Sequence, residues 1–164
     1  MGFFNLLKGV TMKTDICLND DVIDVRDLIE HYEELETALL ACFNEQQTIE
    51  GDDTETDNPD DSAFQEWLKV TTHEDALDFL VIYHTLKDLE SNGGDEQWRG
   101  DWYPVTLIRD SHFEQYARDL AEECGMVSKN QGWPNYCIDW EYAARELKHD
   151  YSATHIDGIT YWFR

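Results

Sequence analysis

Between Asp15 and Glu66 the chain carries 18 acidic residues and a single base, Arg26, so this stretch alone holds a charge of about −17. Charge of one sign at that density opposes compaction. A segment like this folds only if its carboxylates face water while an apolar stripe fastens it to something else. The sequence contains that stripe. Val25, Leu28, Tyr32, Leu35, Leu39 and Cys42 recur at alternating steps of three and four, the spacing of one helix face. The reading is a helix over residues 20–44, capped by Asp20 or Asp21, with acids in the first turns where the helix dipole favours them. Its other faces carry Asp24, Asp27, Glu30, Glu33, Glu34 and Glu36. The stripe, centred on Leu28, Tyr32, Leu35 and Leu39, is expected to pack on the rest of the chain or on a second copy.

Residues 45–61 hold almost nothing apolar and several turn formers, which predicts a solvated, mobile loop. It adds Asp52, Asp53, Glu55, Asp57, Asp60 and Asp61 to the acidic surface. A second helical region is expected over 62–90, broken near Val70–Thr71 and closed by Asn92-Gly93-Gly94. After a turn-rich connection, residues 105–108 read as a strand. A helix then runs from Asp110 or Ser111 to Cys124, stopped by Gly125, and another from Asp139 to Tyr151. Asp157-Gly158 between two β-prone runs is the strongest hairpin signal in the chain. The expected fold class is α+β: an acidic, mainly helical part over 1–94, and a small α/β unit over 95–164 that ends in a β-hairpin.

The whole chain has 36 acids against 12 Lys and Arg in 164 residues, a net charge of −24. Aromatic residues reach 13%, enough apolar material for a core despite the charge. Direct nucleic-acid binding and an anionic membrane surface are both disfavoured, since each contact begins from repulsion. The expected partner is a basic protein. Halophilic adaptation would acidify the whole surface, yet residues 95–164 hold 13 acids and seven bases.

Cys17, Cys42, Cys124 and Cys137 are widely spaced, which fits reduced thiols in a cytoplasm. No apolar run is long enough to span a bilayer, and the opening residues lack a basic region and cleavage site of a signal peptide. Leu6 stands where myristoylation at Gly2 would want Ser or Thr, and Met12 is an alternative start. The six histidines form no H-x-x-x-H pair, the acids of 52–61 lack the twelve-residue calcium loop, and there is no Gly-rich phosphate loop or nucleophile elbow. No catalytic residue, cofactor or metal is therefore expected.

The last sixty residues contain FEQYARDLAEECGMV (113–127), WPNYCIDWEYAARELKHDY (133–151) and IDGITYWFR (156–164). In order and spacing they resemble the C-terminal part of the ArdA antirestriction proteins, while the chain before about residue 100 departs from that pattern. The resemblance implies an acidic, dimeric DNA mimic that occupies the DNA groove of type I restriction–modification enzymes in a bacterial host cytoplasm. Under it, Asp119, Glu122, Glu123, Asp139, Glu141, Glu146 and Asp150 join the mimicking surface, and Trp133, Trp140 and Trp162 are core or dimer contacts. A CRISPR effector is an alternative target for the different front end. An acidic interaction module, binding a partner helix through the apolar stripe, or a chaperone for basic proteins, are alternative roles.

Overall fold

A computed structural model describes residues 18–50, 55–128 and 132–164. The segment holding Gly2, Met12 and Cys17, and the loop acids Asp52 and Asp53, lie outside the described residues.

The first element differs from expectation. Residues Val22–Asp24 form a strand, β1, and the long helix α1 starts only at Val25, running to Glu50. Three residues have no strand signal of their own, but β1 is held by antiparallel pairing with β4 (Thr106–Arg109), Ile23 opposite Leu107 and Val22 opposite Ile108. The cap moves with the boundary. Neither Asp20 nor Asp21 starts the helix; the Asp24 carboxylate accepts the Arg26 backbone N–H at 2.9 Å. At ~1.5 Å per residue, α1 is about 39 Å long.

α1 also takes in residues 45–50 of the expected loop. Thr56, further along that loop, is tied back to the helix: the Asn44 side-chain amide donates to the Thr56 carbonyl at 2.8 Å and accepts the Thr56 N–H at 3.0 Å. Asp61 then caps α2 (Ser62–Val70), its carboxylate accepting from the Ala63 and Phe64 N–H groups. The expected break comes after Val70, and α3 spans Ala76–Leu89.

The connection read as turns contains a further hairpin, β2 (Glu96–Trp98) and β3 (Asp101–Tyr103). Arg99 and Gly100, with φ of 49° and 92°, make its two-residue turn. Gly94 is required here as well: a Cβ on it would meet the Tyr103 carbonyl oxygen at 2.2 Å.

After β4, a 3₁₀ turn at Asp110–His112 leads into α4 (Phe113–Glu123). Neither Asp110 nor Ser111 caps this helix with its side chain; Asp110 instead binds Lys148 and the Trp162 indole. α5 (Trp140–Leu147) starts as expected, the Asp139 carboxylate accepting the Tyr142 N–H at 2.9 Å. Strands β5 (Ser152–Ile156) and β6 (Ile159–Phe163) close on Asp157-Gly158, both left-handed at φ 46° and 78°, as the expected hairpin demands.

The fold is α+β. Its four-stranded sheet runs β1-β4-β6-β5, antiparallel throughout, with helices on both faces. Ile23, Leu107, Ile156, Tyr161 and Phe163 face α1 and α3 and join the larger core. Ile108 and Trp162 face the other way, against Phe113, Ala117, Ala144 and Tyr151. Sheet and larger core both draw on residues from either side of the expected division at 94/95. No helix of the described residues is long and apolar enough to cross a membrane.

Candidate binding surface

The apolar stripe of α1 is turned inward. Leu28, Tyr32, Leu35 and Leu39 are all buried in the larger core. This settles which way the helix is rolled, and so which acids reach water. Asp27, Glu30 and Glu33 are exposed and Glu34 is half-buried. Steps of three and four put Asp27, Glu30 and Glu34 on one ridge, three carboxylates over about 10 Å of axis. Ala38 and Ala41 continue that ridge without charge before Glu45. Three carboxylates leave two gaps of about 5 Å each, against a charge every ~3.4 Å along one strand of B-DNA, so the line comes within a factor of two of phosphate spacing, and over its first third only.

Two helix acids expected on the ridge serve other ends. Glu36 is 8% exposed, and its carboxylate takes both terminal nitrogens of Arg99, one at 3.0 Å. The Arg99 guanidinium is held more firmly protonated by that bond. Asp24 lies at the end of β1 and is clasped by the Arg26 guanidinium, which lowers its pKa. Glu33 remains exposed but accepts the Trp98 indole N–H at 2.9 Å, and Glu34 lies 4.0 Å from His31. Sequence had a signal for Glu36: it stands four residues after Tyr32 and seven after Ile29, on the buried face.

Asp20 and Asp21 stay exposed, Asp21 lying near Arg109 and His112. Glu55 and Asp57 are exposed as expected. Asp60 accepts the Tyr83 hydroxyl at 2.7 Å, and Asp61 is fixed by its capping role. Carboxylates on the exposed side of α3, at Asp78 and Asp88, extend the acidic surface beyond the residues singled out by sequence. Sequence alone does not mark them, because α3 shares its length with a strong apolar pattern.

In the C-terminal unit Glu123, Asp139, Glu141, Glu146 and Asp150 are exposed, and Asp119 and Glu122 half-buried. Asp119 accepts the Gln115 amide, and Glu141 pairs with Arg145 one turn on. Trp140 packs under Arg118, and Trp162 completes the smaller core. Trp133 does neither: at 76% exposed it is not a core residue.

Among the described residues, eight of the nine Lys and Arg side chains lie within 4 Å of a carboxylate oxygen. The ninth, Arg164, lies over the Tyr151 ring. The described cations are thus engaged internally, and the surplus charge they leave is negative. Among the described residues no group of three His, Cys, Asp or Glu side chains converges to hold a metal ion. Comparison with protein-family models, with curated proteins and with solved structures finds no match.

Proposed function

We propose that this chain is a non-enzymatic DNA mimic, made to occupy the DNA groove of a defence complex in a bacterial host cytoplasm, a type I restriction–modification enzyme first of all. The observation that carries the reading is the engagement of nearly every described base in an internal ion pair, while among the described residues no ion pair with Lys or Arg ties down the carboxylates of Glu30, Glu34, Asp78 and Asp88 on α1 and α3. A basic groove meeting that surface gains the attraction it normally gains from phosphates, with fast association and strong salt dependence. The resemblance of residues 105–164 to the ArdA proteins points to the same target. The interaction-module reading is weakened, because the stripe it would use is buried.

The test is displacement of labelled duplex from a purified type I methyltransferase core. The protein should release the duplex, and do so less well as salt rises. Exposed carboxylates contribute about 0–1 kcal/mol each, so Glu34→Gln alone should change little. Neutralising Asp27, Glu30, Glu33, Glu34, Asp78 and Asp88 together should abolish displacement. A single neutralisation as damaging as the set would rule out distributed mimicry, and release of duplex from a CRISPR effector instead would keep mimicry and change the target.

A further inference from the structure

A cleft of about 220 Å³ opens between α1, α3 and the β2–β3 hairpin. Pockets for drug-sized ligands run to roughly 300–1,000 Å³, so this one has room for a single side chain. The rings of Tyr32, Tyr83, Trp98 and Tyr103 form its walls. Asp60, Glu90 and Asp101 supply carboxylates to its lining.

Two cations also border the cleft, and their engagement decides its preference. Arg99 is committed to Glu36, which lies outside the lining. Lys87 alone serves Asp60 and Glu90, at 3.8 Å from each, and Asp101 has the Ser91 hydroxyl at 3.2 Å. Three lining carboxylates against two lining cations, one of them already paired with Glu36, leave the cleft with a net negative charge. The rings hold cations already: the Arg99 guanidinium lies 4.4 Å from the Trp98 centroid and 5.5 Å from that of Tyr32, and Lys87 lies 5.9 Å from Tyr83. Aromatic faces backed by carboxylates attract a partly desolvated cation, and a planar guanidinium both stacks on rings and grips a carboxylate with two bonds.

We propose that this cleft receives an arginine side chain of the basic partner, its stem along the aromatic walls and its guanidinium between Glu90 and Asp101. The proposal deepens the function given above and rests on that reading for the identity of the partner. It also adds what a smooth phosphate imitation lacks, a point of register where one residue of the partner is gripped.

The experiment monitors the Trp98 indole N–H by NMR, assigned with Trp98→Phe, while N-acetyl-arginine amide is added to the whole protein. A saturable shift is expected, and N-acetyl-citrulline amide, equal in shape but uncharged, should give none. Glu90→Gln combined with Asp101→Asn should weaken the arginine response about tenfold, as loss of two partly exposed carboxylate contacts implies. An equal response to citrulline, a response to inorganic phosphate in place of arginine, or no saturable response overturns the proposal. The ligand comparison uses the unaltered protein and does not depend on how the variant folds. Duplex displacement without any arginine response sinks the cleft and leaves mimicry; an arginine response without displacement does the reverse.

Discussion

The two faces of the sheet carry opposite combinations of charge and core. On the α1–α3 side, twenty buried residues form one cluster beneath the most acidic part of the chain. On the α4–α5 side the charge is closer to balance, yet only five buried residues hold the helices down, and Met126, Trp133, Tyr136 and Tyr142 remain exposed. The region that repels itself most is the region anchored most deeply. Burial of apolar area contributes roughly 25 cal/mol per Å², while exposed like charges cost little each and are screened by salt. A dense acidic surface therefore sits comfortably on a helix whose other side is solid core.

The sharpest way to break this comparison is to make the same cavity on each side. Phe79 is fully buried, stacked on Tyr32 at 5.0 Å and in contact with Phe64 and Tyr83. Phe113 is as fully buried, against Tyr116, Tyr151 and Trp162. Either change to Ala should cost about 3–5 kcal/mol locally. In hydrogen exchange Phe79→Ala should lower protection over the whole molecule, whereas Phe113→Ala should free α4 and α5 and leave α1–α3 protected. Uniform loss in both variants would mean that the two cores melt as one.

A smaller effect separates the helix starts. Asp61 and Asp139 play the same capping part on the two sides, α2 against α5. Asp61→Ala and Asp139→Ala should each cost about 1 kcal/mol. Chemical denaturation should report the Asp61 loss as global, and near-UV dichroism from Trp140 should report the Asp139 loss earlier.

The smallest effect is one of pH. Hydrogen bonds from the Lys148 ammonium and the Trp162 indole, with the positive charge of Lys148, hold the Asp110 carboxyl below its ordinary value of 3.8. A depressed carboxyl contributes stability that is present above the unfolded value and disappears as pH falls through the folded one. Acidification below about pH 4 should therefore loosen the α4–α5 side, read in Trp fluorescence, and Asp110→Asn should remove that pH dependence.

What sequence made legible were features with a local cause. The Asp157-Gly158 turn needs left-handed backbone at both residues, the Asp139 cap needs a carboxylate before a helix, and the α1 stripe needs only periodicity. What it hid depended on distant partners. β1 is a strand because residues 106–109 lie beside it, and β2–β3 turns on an Arg, a residue that seldom signals left-handed backbone. Of the binding surface, the side-chain types and the outer ridge were readable. The withdrawal of Glu36 to meet Arg99, and the cleft that forms beside that pair, required the hairpin to be in place.

The pairing of β1 with β4 also shapes how the molecule must assemble. Residues 22 and 108 are neighbours in the sheet, and closing so long a loop delays any reward from the contact. The helical hairpins between them can collapse early on short-range contacts, but the sheet must wait for the chain to double back across that distance. Refolding is thus slower than the helix content alone implies.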